Sequence, residues 1–185
     1  MANVDAPNGL KAVRHLTGGA IRTEEFKIAS GLSTAIFTGD CVKLLGTGYI
    51  DECDAGDRIL GVFAGCSYAN SSGEQVFSRQ WTASATTQGS VDVTAYVYSD
   101  PQIVFAVQSA GSADFADIGQ LADIVATAGD TNTGQSKHEI SGTTGTSTAG
   151  LRILGKYEEP NNAYGTNGVL EVQIYEHELT FATGV

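Results

Sequence analysis

Three histidines, His15, His138 and His177, are the side chains best suited to moving protons near neutral pH. None lies in a local metal-binding pattern such as H-E-x-x-H. His177 stands between Glu176 and Glu178. On a strand those neighbours point to the opposite face, so the tripeptide builds no triad. Each histidine therefore reads as a surface or hydrogen-bonded side chain. Gly145-Thr146-Ser147-Thr148-Ala149-Gly150 has one residue too many for a G-x-S-x-G elbow. It also lacks the buried strand and helix that expose such a serine, and it reads as flexible loop. Asp51, Asp54 and Asp57 bring carboxylates together without the ligand order of a calcium loop, so they read as a solvated acidic loop. No phosphate-cradling glycine motif is present, and the sequon Asn70-Ser71-Ser72 has meaning only in a secreted protein. Cys41, Cys53 and Cys66, 12 and 13 residues apart, fit neither a disulfide framework nor a zinc knuckle. They read as free, buried thiols in a reducing cytoplasm. Trp81, Tyr96, Tyr98, Tyr157 and Tyr164 admit a sugar-binding face, but aromatics at such positions are more often core or interface anchors. No catalytic, cofactor or metal set emerges, and the chain is not expected to be an enzyme.

Charge narrows the partners. The 185 residues carry a formal charge of −11, which disfavours nucleic acid, since phosphate contacts need clustered Lys and Arg. Four of the ten basic residues (Lys11, Arg14, Arg22 and Lys27) fall within the first 27 positions. From Gln80 to Ser136 there is no Lys or Arg, but there are six Asp. The bland reading is a solvated acidic face; the sharper one is a molecule with a docking end and an outward end. The start lacks the basic-then-apolar order of a signal peptide. No apolar run is long enough to span a bilayer, so no membrane partner is expected.

The elements that must position these side chains are short strands. Only 17% of residues are charged, against about 25% in typical domains, and 23 are glycine. That balance, with abundant threonine, predicts an all-β protein: a small barrel or sandwich with at most one short helix. Residues 1–25 read as an extended N-terminal arm, because Asp5-Ala6-Pro7-Asn8-Gly9 continues neither a helix nor a paired strand. Residues 26–185 read as the β-rich body, divisible into two small units, 26–110 and 111–185. Strands are predicted at 26–29, 33–38, 40–45, 58–68, 76–82, 91–98 and 103–107. The last of these is apolar on both faces, as in a covered central strand. Phe115, Ile118, Leu121 and Ile124 recur every third residue, which fits a short helix over 112–128 despite Gly119. Residues 129–150 read as a long loop with one strand near 138–140. Residues 151–157 and 169–181 form a closing hairpin across a turn-rich connection.

One stretch after another resembles the capsid decoration (cement) proteins of tailed bacteriophages. The opening Met-Ala-Asn-Val-Asp-Ala-Pro-Asn-Gly-Leu-Lys-Ala-Val-Arg-His-Leu is the strongest point of similarity. Gly39-Asp40-Cys41-Val42 and Gly56-Asp57-Arg58-Ile59-Leu60-Gly61-Val62-Phe63-Ala64-Gly65 follow. Then come Trp81, Asp100-Pro101 with Phe105, Thr133-Gly134-Gln135-Ser136 and Leu151-Arg152-Ile153-Leu154-Gly155. Pro160-Asn161-Asn162-Ala163-Tyr164-Gly165 and Val169-Leu170-Glu171-Val172 complete the series, which spans nearly the whole chain. Thr17-Gly18-Gly19-Ala20-Ile21 departs from the family, which has an Asn-Gly and aromatic residues there.

The resemblance implies a viral structural protein, made in the host cytoplasm and bound to the outside of an icosahedral capsid. Its partners would be the major capsid protein and its own copies, as a symmetric oligomer such as a homotrimer at a local three-fold axis. It supplies no catalytic residue and no cofactor. The expected capsid contacts lie in the arm. Pro7 would stiffen it, Leu10, Val13 and Leu16 would give apolar contact, and Lys11, Arg14 and Arg22 would meet acidic groups, with His15 also among the contact residues. The alternative is a carbohydrate-binding or adhesin β-module on the virion surface.

Overall fold

The computed structural model describes residues 3–180, so Ala2 of the expected arm and Phe181 of the expected last strand lie outside it. In chain order the first strands are β1 (Lys11–His15), β2 (Glu24–Ile28), β3 (Ile36–Phe37), β4 (Cys41–Leu44), β5 (Ile50–Glu52) and β6 (Gly61–Ala69). Then come β7 (Gln75–Ser78), β8 (Gln80–Trp81), β9 (Val93–Tyr98), β10 (Ile103–Gln108), β11 (Ser112–Ala113) and β12 (Leu121–Ala122). The last are β13 (Ile124–Val125), β14 (Glu139–Ile140), β15 (Leu151–Lys156), β16 (Gly165–Thr166) and β17 (Val169–Ile174). Helical geometry among the described residues is confined to single 3-10 turns at Gln88–Ser90, Phe115–Asp117 and Glu178–Thr180.

The protein is all-β, and its two main sheets form a sandwich-like body rather than a closed barrel. Sheet A runs β1-β10-β17-β15-β12, and sheet B runs β2-β9-β6-β4-β5 with β7 also on β6. Sheet B curls until Tyr49, beside β5, meets Lys27 of β2 through one isolated bridge. Its concave side holds a core of Ile28, Ile36, Val42, Ile50, Leu60, Phe63, Trp81, Val93, Ala95 and Val97. The Tyr68 ring meets Trp81 edge-on at 5.5 Å. A second core fills the space between the sheets. Phe105, Val107, Ile153, Leu170 and Val172 from sheet A meet Cys41, Cys53, Ile59 and Val62 from the sheet B side. Gly61 lets β6 approach β9 there, because a Cβ would run into the Tyr98 carbonyl.

Local pattern explains most of this. Val93, Ala95 and Val97 are fully buried while Thr94, Tyr96 and Tyr98 are half-buried, the alternation read from the sequence. β10 is buried at all six positions: Phe105 and Val107 enter the inter-sheet core, and the N-terminal segment is bound to Gln108 on the opposite face. The region 112–128 is not a helix. Asp114 caps a single 3-10 turn, accepting the Ala116 N–H while Asp117 accepts the Asp114 N–H. Gly119, at φ +87°, then redirects the chain, and Leu121 and Ala122 pair with Arg152 and Leu151. The three-residue spacing corresponds to no common face: Phe115 is 69% exposed and Ile124 3%. A division at 110/111 is also not where the sheets divide, because β10 and β1 both belong to sheet A. No helix among the described residues is long and apolar enough to cross a membrane.

Candidate functional site

The N-terminal segment is extended, and it is stitched to its own body. The Asn3 amide donates to the Ala163 and Thr166 carbonyls, both at 2.9 Å, and accepts the Ala163 N–H at 3.1 Å. Gln108 accepts the Ala6 N–H at 3.0 Å and donates to the Val4 carbonyl at 2.7 Å. The Gln135 amide reaches the Asn8 carbonyl at 3.2 Å, and the Leu10 N–H reaches the Gly39 carbonyl at 2.9 Å. Gly9 is required at this joint. Its φ is +64°, and a Cβ would lie 2.5 Å from the Ser136 Cβ and 2.7 Å from the Gly39 oxygen. Residues 11–15 then enter sheet A as its edge strand, against β10, with a bulge between Ala12 and Arg14.

This placement sorts the expected contact residues. Leu10 is 3% exposed and belongs to the inter-sheet core, and Pro7 and Val13 are half-buried. Arg14 is exposed but its guanidinium holds Glu171 of β17 at 2.6 Å. His15 is a local clip. Its Nδ1 accepts the Thr17 and Gly19 N–H groups, both at 3.3 Å, and its Nε2 lies 3.0 Å from Asp100. The Gln102 N–H and then His15 hold the Asp100 carboxyl below its ordinary value. Lys11, Leu16 and Arg22 remain exposed and turned away from any core.

A second constellation was invisible in the sequence. Asp40 precedes β4, Glu52 ends β5, and His138 precedes β14; their polar atoms all lie within 4.8 Å of one another. Asp40 and His138 are both 0% exposed. Asp40 Oδ2 accepts the Phe37 N–H at 2.6 Å. Oδ1 has no hydrogen-bond partner; His138 Nε2 is 3.4 Å away but out of alignment. His138 Nε2 lies 2.9 Å from Glu52 Oε1, and His138 Nδ1 accepts the Cys41 N–H at 3.3 Å. That last bond decides the chemistry. With Nδ1 accepting, the ring proton is on Nε2, where it is donated to Glu52, so no lone pair is left for a metal ion. Two of the three side chains are buried and Glu52 is half-buried, and together they form a proton-sharing cluster in which the imidazole offers no lone pair to a cation. Burial raises the Asp40 carboxyl from 3.8 to about 6, against the opposing pull of His138, Ser136 and the Phe37 N–H.

The other candidates are not assembled into machinery. His177 is buried, and burial pulls its imidazole below the ordinary value. Its Nδ1 accepts the Leu179 N–H at 3.2 Å. Cys41, Cys53 and Cys66 are free and buried, and burial pushes all three thiols up, Cys66 to about 12. Asp57 is taken by Lys43 at 2.6 Å and by the Asp54 N–H at 2.9 Å, and Asp51 accepts the Glu52 N–H at 2.8 Å, while Asp54 is exposed. Residues 145–150 form neither strand nor helix. The tyrosines share no single face: Tyr96 and Tyr98 sit on β9, while Tyr157 and Tyr164 sit on the 157–168 connection. Comparison with known protein families, curated proteins and solved structures returned no match.

Proposed function

We propose that the protein is a structural, non-enzymatic capsid decoration protein of a tailed bacteriophage, held on the shell by the exposed part of residues 11–22. The reading rests on the series of family-like motifs. One structural observation supports it: Lys11, Leu16 and Arg22 stand exposed along one edge of sheet A and the turn beyond it, on a chain of net charge −11. That is the cationic and apolar mixture needed to meet an acidic protein surface, and the acidic remainder keeps neighbouring copies soluble. Each contact is modest; repetition around a symmetric cluster of copies multiplies it. Binding only the assembled shell stabilises that shell by linkage.

Deleting residues 2–16 is a poor test, because it removes Leu10 from the core and β1 from sheet A. The better variant pairs Leu16→Ser with Arg22→Ala, both at exposed positions. Its unfolding midpoint should match the parent while its copy number on purified particles falls. Particles that lack the parent protein, or that carry the variant in full amount, overturn the reading.

A further inference from the structure

Sheet A has an outer face as well as a core face. On that face Ala106, Gln108 and Val169 form the floor of a cavity of about 400 Å³. The docked N-terminal segment makes one wall, and the 157–162 stretch makes the other. Three carboxamides build the frame, and each donates two bonds and accepts one. Asn3 and Gln108 pin the first wall. Asn162 pins the second, donating to the Tyr157 and Val169 carbonyls, both at 2.7 Å, and accepting the Val169 N–H at 3.0 Å. The walls are thus held before any ligand arrives, which lowers the cost of binding.

Inside that frame the pattern reverses. Asn8, Lys11, Tyr157, Glu159, Asn161 and Asn167 line the cavity. No side chain among them hydrogen-bonds or ion-pairs with another described residue. Asn161 and Asn167 both sit at positive φ, +69° and +58°, backbone positions that non-glycine residues adopt uncommonly. A concave site with an apolar floor and a few convergent unused polar groups has the anatomy of a small-ligand pocket.

From this geometry we infer that the cavity is a saccharide-binding site. Carboxamides, an ammonium, a carboxylate and a phenol together both donate and accept, as a ring of hydroxyl groups requires. Val169, half-buried, and Pro160, exposed, offer the apolar surface that the C–H face of a sugar needs. A peptide strand is a poorer match, because the floor is a sheet face whose central strand β10 already has β1 and β17 on its two sides. A phosphate is also poorer, since Lys11 is the one cation among the lining residues and Glu159 offsets it.

The test uses the free chain and does not depend on capsid binding. Amide NMR spectra are titrated with the methyl glycosides of glucose, galactose, N-acetylglucosamine and glucuronic acid. At least one should give saturable shifts at Lys11, Tyr157, Asn161 and Asn167, with a millimolar or tighter Kd. The double variant Asn161→Gly, Asn167→Gly suits both left-handed backbones and removes both amides; it should weaken binding at least tenfold. Lys11→Gln, on the other wall, gives an independent weakening should the double variant fold poorly. No shift with any of the four sugars overturns the inference. So does binding unchanged in the variants, or the same shifts produced by a Glu-containing extended hexapeptide and by no sugar.

Discussion

Replacing Asp40 with Asn removes a charge from the most enclosed acidic position in the molecule. The carboxyl is 0% exposed, its Oδ1 is unpartnered, and its pKa is raised from 3.8 to about 6. At about 1.4 kcal/mol per pKa unit, a shift of about 2 units corresponds to about 3 kcal/mol. The direction follows from linkage. A folded-state pKa above the unfolded one means stability that is complete below about pH 4 and is lost as pH rises through about 6. Above that pH the parent carries a buried carboxylate, and Asn does not. The amide oxygen can still accept the Phe37 N–H, and the amide NH2 takes the place of Oδ1, 3.4 Å from His138 Nε2. Denaturant unfolding of parent and Asp40→Asn from pH 4 to pH 8 measures the difference directly. The Asn variant should gain on the parent between pH 4 and 6, by up to about 3 kcal/mol, or roughly 6–12 °C in Tm for a chain of this length. Other groups titrate in this window, which is why the difference curve is the observable. His177, for example, has a depressed folded pKa, so its contribution is present above pH 6.5 and is lost on acidification. Parallel stability curves, or an Asn variant weaker than the parent at pH 7, would refute the reasoning.

Gly9→Ala should cost about 1–3 kcal/mol, since it combines a left-handed φ with contacts under 3 Å to Ser136 and Gly39. Denaturant unfolding measures that cost, and faster proteolysis within residues 3–10 should accompany it. The native protein should leave all three cysteines unlabelled by a thiol reagent near neutral pH, and denaturant should release all three together; a fast-reacting native thiol contradicts their burial.

The sequence carried the parts of the fold that depend on neighbours along the chain. The alternation became a strand over 93–98, with Val91 left exposed, the doubly apolar run became β10, and the closing hairpin formed from 151–156 and 169–174, its expected extension past Ile174 giving way to a 3-10 turn, because period and turn chemistry are local. Strand β1 was not legible. Its Lys and Arg, with a bulge between Ala12 and Arg14, are the devices that protect a sheet edge, and its partner β10 lies some ninety residues away. They read instead as a basic arm. Strand β5 was hidden inside an acidic run for a similar reason: Asp51 and Glu52 leave Ile50 alone to signal burial. The Asp40, Glu52 and His138 cluster had no local signature at all. His138 is 86 residues from Glu52, and Gly39-Asp40 reads as ordinary turn punctuation. The cavity amides were equally silent, because an Asn that clamps a loop and an Asn that faces a ligand are the same letter.

The order of strands in sheet A constrains how the molecule is made. Its edge, β1, leaves the ribosome first, yet β17, two places further in, is among the last to emerge. At about 5–20 residues per second, the opening strand waits roughly ten to thirty seconds for the rest of its sheet. During that interval Leu10 and the apolar side of β1 are uncovered in the nascent chain. The basic residues at positions 11 and 14 then discourage that orphan strand from pairing with its neighbours on the same polysome.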